Sequence, residues 1–233
     1  MWSTEFRVRV RDCAPGGKAR FSTIWDMCQD AAVEHAAVLN LSKEDMAKIN
    51  AFWVLCRMKL EVFKFPEYGE KVRVCTAPEG VDRLYFMRGF SLYDAGGEVI
   101  ARGMSSWSMI DVVSFRPVRI GREFDNLGGA YEGKKLVKLP SVGDDCAVGE
   151  VIEVRYGDID VNNHVNNLRY VVWAENEVMS RGKGLRSMEV NYIAQTMLGE
   201  RLELLHNEGM ELIELRNEGG KTVFRARYAD NKR

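Results

Sequence analysis

The chain has 233 residues, a formal net charge of -1 and 46% hydrophobic content. That balance excludes a global basic field for nucleic acid or anionic membrane, and it is too apolar for disorder. No apolar run approaches the roughly 18–20 residues that a membrane-spanning helix needs. The chain opens on Met1-Trp2-Ser3-Thr4-Glu5-Phe6 and passes directly into Phe6, Val8 and Val10 alternating with Arg7, Arg9 and Arg11. Period-two alternation predicts a strand with one buried face. The start shows neither a signal-peptide core nor an Arg- and Ser-rich transit segment, so the expected location is the cytoplasm. A helix is predicted next, capped by Ser22 or Thr23, with Ile24, Cys28, Ala31, Ala32, His35 and Leu39 on one face. Four strand-like runs follow, at about 52–63, 70–79, 84–94 and 98–111. Gly96-Gly97 reads as a hairpin turn.

Residues 112–147 contain Gly121, Gly128, Gly129, Gly133 and Gly143 with Lys134-Lys135, and read as an irregular crossover. A loop that long is unusual within a domain and natural between two. A second set of elements then repeats the first: a strand over Val151 to Tyr156, and a helix capped by Asn166 or Asn167. Leu168, Val171, Val172, Glu175 and Met179 share one face of that helix. Strands are predicted at about 187–195, 200–206, 210–217 and 221–229. Met58 to Glu70 matches Met188 to Glu200 at an offset of 130 residues (188 against 58), and Gly96-Gly97 is echoed by Gly219-Gly220. The expected organisation is a domain over 1–120, a linker over 121–147 and a domain over 148–233. One helix followed by antiparallel strands makes each an α+β unit.

The run Tyr156 to Asn167 concentrates the chemistry. It sets Asp160, Asn162 and His164 at alternate positions just ahead of the second helix. Backbone N–H groups lie unpaired at a helix start, where the helix dipole is positive, and can stabilise a developing oxyanion. His164 suits general acid–base work near neutral pH. Asp160 can orient it or accept a proton from water, and Asn162 can donate a hydrogen bond. The same residues also suit a capping network that only holds the helix start, and by themselves they leave both readings open. The equivalent junction of the first unit, Arg11 to Lys18, has neither His nor Asn. His35 reads as a core histidine and His206 as an exposed one beside a turn. Cys13, Cys28, Cys56, Cys75 and Cys146 are scattered, with no C-x-x-C pair, and read as thiols in a reducing compartment. No metal and no cofactor are expected.

Asp160-Val161-Asn162-Asn163-His164-Val165-Asn166-Asn167, followed by Tyr170 and Trp173, resembles the Asp-x-Asn-x-His-x-x-Asn signature of acyl-acyl carrier protein (acyl-ACP) thioesterases. Ser105-x-Trp107-x-x-x-Asp111 with Arg116-Pro117 resembles the end of the first half of those enzymes. The resemblance implies two tandem hotdog units, each a curved antiparallel sheet around one long helix, paired within the chain as a pseudo-dimer. It implies hydrolysis of fatty acyl-ACP to free fatty acid and holo-ACP, with Asp160, Asn162 and His164 catalytic. The first unit is then left to shape the acyl pocket, with Met27, Phe52, Trp53, Leu55 and Met58 as candidates.

Plant members have a Glu-Cys pair in the strand after the catalytic helix. Counting from Tyr192, this chain has Gln195 and Thr196 there. Gln cannot act as a base. Attack by water served by Asp160 and His164 is therefore expected in place of a covalent Cys mechanism, with Gln195 as a fourth site residue. If the count slips by a few residues, Glu189 or Glu200 takes that place. Plant members also carry plastid targeting segments, and none shows here, which points to a bacterial relative. The implied partner is ACP with its phosphopantetheine-linked acyl chain, and a homodimer is left open. An acidic ACP calls for a local basic patch, drawn from Arg116, Arg119, Arg122, Lys134, Lys135, Arg181, Lys183 and Arg186. The alternatives are an acyl-CoA thioesterase on the same fold and a non-catalytic acyl-binding hotdog.

Overall fold

The computed structural model describes residues 1–118, 127, 129–207, 209 and 211–230. The chain divides into two compact units, Met1–Leu136 and Val137–Arg233. The first holds β1 (Trp2–Arg7), a 3-10 turn (Val10–Asp12), α1 (Phe21–Val38), α2 (Lys43–Lys48), β2 (Ala51–Val62), β3 (Lys71–Asp82), β4 (Tyr85–Tyr93) and β5 (Val99–Asp111). Its sheet runs β1-β3-β4-β5-β2, antiparallel throughout. The second holds β6 (Ala147–Glu153), a 3-10 turn (Tyr156–Asp158), α3 (Asn167–Ser180), β7 (Ser187–Tyr192), β8 (Arg201–Asn207), β9 (Leu212–Asn217) and β10 (Thr222–Ala229). Its order, β6-β8-β9-β10-β7, is the same topology strand for strand.

The apolar stripe of α1 explains its place. Ile24, Trp25, Cys28, Ala31 and Ala32 are buried, and the helix packs on β1 and β3. Burial of each large side chain contributes roughly 1.5–3 kcal/mol. In the second unit, Tyr170 of α3 stacks on Phe224 of β10 with centroids 5.3 Å apart and meets Tyr192 of β7 edge-on at 6.0 Å. The two glycine pairs form hairpin turns as expected. Gly97 (φ +86°) donates to Asp94 O, and Gly220 (φ +73°) donates to Asn217 O.

Several local expectations change. Val10 belongs to the 3-10 turn and is 74% exposed, so the buried alternation ends at Val8. Neither Ser22 nor Thr23 caps α1. Arg20 occupies the cap position, and the Thr23 hydroxyl donates to Asp12 O at 2.8 Å. Asn166 does cap α3, its Oδ1 accepting from Leu168 N at 2.8 Å. Met179 is exposed, while Tyr170, Trp173, Ala174 and Val178 supply the buried face of α3 with Val171. The sequence reading passed over α2. Its signal is Ser42-x-x-Asp45, which forms a reciprocal capping box. That short helix buries Met46 among Ala51, Phe86, Met109 and Leu127, with Trp53 edge-on to Phe86 at 4.7 Å.

Residues 129–146 contain no helix or strand. From Val137 onward they strap the second sheet. Asn191 holds Val137 O (3.3 Å) and Leu139 N (2.7 Å), Arg225 holds Leu139 O (3.1 Å), and Asn207 holds Val142 O (2.9 Å). Ser141 donates to Glu214 Oε2 at 3.1 Å. The contacts step across β7, β10, β9 and β8 in spatial order, carrying the chain to the edge strand β6. Leu139 and Val142 are buried beneath the strap, and side chains satisfy its backbone where no strand pairs it.

Candidate active site

Asp160, Asn162 and His164 stand on one loop between the 3-10 turn and α3. Asp160 Oδ1 accepts from Asn162 N at 2.7 Å, and Oδ2 from Asn162 Nδ2 at 3.3 Å. Asn163 takes a left-handed conformation (φ +63°), which Asn tolerates. The turn closes through Asn163 N to Asp160 O (3.0 Å) and Asp160 N to His164 O (2.9 Å). His164 Nδ1 faces two acceptors, Val165 O at 3.3 Å and Asp160 Oδ1 at 3.8 Å. Both need a donor, so the hydrogen-bond pattern assigns the imidazole proton to Nδ1 and the basic lone pair to Nε2. At 3.8 Å Asp160 acts on His164 through charge rather than a hydrogen bond. The two side chains are 18% and 23% exposed, so water reaches them.

Two residues that the sequence reading did not single out hold this loop. Asp158 is buried and accepts from Arg155 N (2.9 Å) and Arg169 Nε (2.6 Å), and its carbonyl accepts Asn166 N (2.8 Å). Arg169 lies 5.9 Å from the Trp173 ring centre. A groove of about 400 Å³ opens beside them, lined by Arg155, Arg169, Arg201 and Trp173 together with Glu150, Glu153 and Asp158. Gln195 is exposed on the segment after β7. Its neighbour Thr196 accepts Val165 N at 2.9 Å, which brings that segment alongside the loop. Of the substitutes, Glu200 caps a turn by accepting Met197 N at 3.2 Å, and Glu189 sits opposite Arg227 in the sheet. Burial pushes the Tyr170 phenol up to about 12, with the Glu200 and Asp160 carboxylates adding to the shift, so it stays neutral beneath the site.

The first unit builds the same loop. Arg9 N donates to Asp12 Oδ2 (2.7 Å), Ala14 N to Lys18 O (2.8 Å), Gly17 N to Ala14 O (3.1 Å) and Arg20 N to Asp12 O (2.9 Å). Ala19 N donates to Pro66 O (2.8 Å), as Val165 N does to Thr196 O. The offset is 146 residues along the loop (158 against 12) and 130 on the strand side (196 against 66). Ala14, Gly16 and Lys18 therefore stand where the second unit has Asp160, Asn162 and His164. The paired carboxylates, each three residues after an arginine, were the sequence signal for Asp158.

The remaining candidates separate. His35 is buried, its Nδ1 accepting from Arg88 Nη1 at 2.9 Å and its ring stacked on Trp2 at 6.1 Å. His206 corrects the expectation of exposure. Its side chain is 14% exposed, with Nε2 3.7 Å from Glu177 and Nδ1 against Arg181. Of the proposed basic patch, Lys135, Arg181, Lys183 and Arg186 already pair with Asp82, Glu177, Glu211 and Asp230. Arg116 and Lys134 are exposed, and Arg119 and Arg122 lie outside the described residues. Among the described residues, no helix is long and apolar enough to cross a membrane.

A five-stranded antiparallel sheet with one long helix, made twice in one chain, defines a tandem hotdog protein. The chain matches the acyl-ACP thioesterase N-terminal domain over residues 1–127 and the acyl-ACP thioesterase C-terminal domain over 145–231. It belongs to the acyl-ACP thioesterase family. It is 29% identical over 208 residues to the chloroplastic palmitoyl-acyl carrier protein thioesterase of Arabidopsis thaliana, a match covering 80% of this chain and 50% of that protein. It is 26% identical to the oleoyl-acyl carrier protein thioesterase 1 of the same plant, covering 74% and 53%. The chain thus spans about half the length of these relatives. Among solved structures, the acyl-ACP thioesterase of Bacteroides thetaiotaomicron superposes with a TM-score of 0.86 at 24% identity, covering 97% of this chain and 96% of that one. The 12:0-ACP thioesterase of Umbellularia californica superposes with 0.80 at 25% identity, covering 97% and 95%.

Proposed function

We propose that this chain hydrolyses the thioester of fatty acyl-ACP, releasing free fatty acid and holo-ACP. The observation that carries the reading is the pair of matching loops. The first unit forms the loop with Ala14, Gly16 and Lys18, so Asp160, Asn162 and His164 are not required to build it. A capping network is then an insufficient reason for those three side chains. In the proposed reaction water attacks the carbonyl carbon and gives its proton to His164 Nε2, while Asp160 stabilises the imidazolium. The Asn162 amide and the Asn167 N–H at the start of α3 stabilise the oxyanion, the N–H groups of Asn166, Leu168 and Arg169 being taken by Asp158 O, Asn166 Oδ1 and Asn166 O. The C–S bond then breaks, and the thiolate leaves with the proton from His164. Gln195 orients the water and takes no proton.

We assign the acyl pocket to the first unit, whose strand-to-helix loop lacks counterparts of Asp160, Asn162 and His164. We place the protein in the cytoplasm, a reading supported by its five free cysteines. The test is hydrolysis of acyl-ACP and acyl-CoA of several chain lengths. Asp160→Asn should lower kcat by about 10²–10⁴-fold. Gln195→Ala should cost less, and Gln195→Glu should stay active with an altered pH profile. A near wild-type rate in Asp160→Asn removes the catalytic assignment, and equal loss in Gln195→Ala makes the role given to Gln195 too small.

A further inference from the structure

Tyr192 ends β7, and its hydroxyl donates to Asn167 O, in the first residue of α3, at 3.1 Å. On the other side of the same peptide, Leu168 N–H donates to Asn166 Oδ1 at 2.8 Å. Side chains thus hold both polar groups of the peptide that opens the helix. The Tyr192 ring is itself fixed, 6.0 Å from Tyr170 and 5.5 Å from Phe224. Four residues further on, Thr196 O accepts Val165 N at 2.9 Å. The strand exit that carries Gln195 is therefore joined to the turn over residues 165–167 at two points.

The first unit keeps only one of the two. Ala19 N to Pro66 O repeats the backbone tether at 2.8 Å. Val62 stands at the place of Tyr192, by the same offset of 130 residues, and has no hydroxyl; Ile24 stands at the place of Tyr170. The loop forms there regardless. The hydroxyl tether is an addition of the copy that bears Asp160, Asn162 and His164, and it is not a requirement of the loop.

We propose that Tyr192 is a positioning residue for thioester hydrolysis, its hydroxyl fixing the first peptide of α3 against the strand exit that carries Gln195. This rests on the hydrolytic reading above. The Leu168 N–H of that peptide is taken by Asn166, so the donor the tether positions is the Asn167 N–H, on the other side of the Asn167 Cα. Such a donor acts on a developing oxyanion only when held in place beforehand, and a misplacement of about 1 Å can cost about 10²-fold in rate.

Tyr192→Phe removes the hydroxyl and keeps the ring packing. On acyl-ACP its kcat should fall about 10-fold or more with KM within about twofold. Its melting temperature should stay within a few degrees. Amide hydrogen exchange at Val165 and Leu168 should become faster. Tyr192→Val, which installs the residue of the first unit, should show the same exchange change with a larger loss of stability. An unchanged kcat overturns the proposal, and so does unchanged exchange at both amides. Exchange is read without substrate, so it tests the tether even if the wild type proves inactive on acyl-ACP, an outcome that would by itself sink the hydrolytic reading.

Discussion

The loops over residues 9–20 and 155–166 share a pattern of backbone hydrogen bonds and differ in what they carry. Each places an aspartate, Asp12 or Asp158, to accept the N–H of an arginine three residues earlier, and each returns an N–H to that aspartate's carbonyl at the helix start. Each passes through a left-handed residue at the matching position, Gly17 or Asn163, and they differ one residue earlier, where Gly16 is left-handed and Asn162 is not. The shared bonds are the architecture of the strand-to-helix junction. The unshared side chains, Asp160, Asn162, His164 and Tyr192, are what the architecture leaves free to vary. A duplicated unit thus contains its own control: what persists in both copies is needed to fold, and what appears in one is available for chemistry.

The sharpest way to break that comparison is to move residues between the copies. Asp160→Ala and His164→Lys install the first unit's side chains in the second. Loss of kcat/KM by about 10²–10⁴-fold is expected for each. Stability should barely move. Asp160→Ala loses the bond from Asn162 N, worth about 1 kcal/mol, or about 2–4 °C in melting temperature for a chain of this size. Thermal melts and steady-state kinetics on the same preparations decide it. A variant that unfolds would show that the second loop leans on its side chains after all, and the two copies would not be equivalent.

The periodicities that made the repeat visible also gave the strands. The runs at 84–94 and 98–111 became β4 (Tyr85–Tyr93) and β5 (Val99–Asp111), with ends moved by at most a residue, because their aromatic and β-branched bias suits a strand. The helix starts were harder to read. Ser22 and Thr23 look like caps, yet Asp12 recruits the Thr23 hydroxyl and the helix begins on Arg20. That competition depends on a residue eleven positions away and leaves no local pattern. Asp160, Asn162 and His164 were legible as a constellation on one short run. Tyr192 and Arg169 were not legible as its supports. Their roles arise from contacts to Asn167 and Asp158 made when strand and helix come together.

The two sheets supply a second contrast. Glu214 on β9 is fully buried and accepts from Arg216 Nε (2.6 Å), Arg225 Nε (2.7 Å), Thr222 (2.8 Å) and Ser141. Burial alone would push its carboxyl up; the hydrogen bonds from Arg216, Thr222 and Arg225 outweigh that and hold it below its ordinary value. Glu214 pairs across the sheet with Arg225, as Ser91 pairs with Arg102, but Arg102 is exposed and, among the described residues, no strap is bonded there. Glu214→Ala leaves two arginines without their carboxylate and removes the acceptor of the Ser141 hydroxyl. A loss of about 3–5 kcal/mol is expected, against about 0.5 kcal/mol or less for Ser91→Ala. Denaturant titration of both variants measures the difference. Similar losses would mean that the strap adds nothing to the second sheet.

The smallest expected effects concern pH and separate α1 from α3. Burial, helped by the charges of Arg88 and the N-terminal amine, lowers His35 to about 4 from 6.5. The unfolded chain then takes up a proton near pH 6.5 that the folded chain refuses until about 4. His35 therefore favours the fold above pH 6.5, and that contribution is lost as pH falls from 6.5 to 4. Asp26 works the other way. Burial, with Asp30 and Asp12 nearby, raises its carboxyl to about 6 from 3.8. The folded chain binds that proton first, so Asp26 penalises the fold above pH 6, and the penalty is relieved as pH falls from 6 to 3.8. The counterpart of Asp26 on α3 is Val172, which does not titrate. Asp26→Asn should raise the melting temperature above pH 6, with the gain shrinking to nothing below about pH 4. His35→Asn should flatten the decline of wild-type stability between pH 6.5 and 4. Melting temperatures measured from pH 4 to 8 give both curves. If the Asp26→Asn gain were the same at every pH, it would come from packing, and the charge on α1 would not distinguish the two helices.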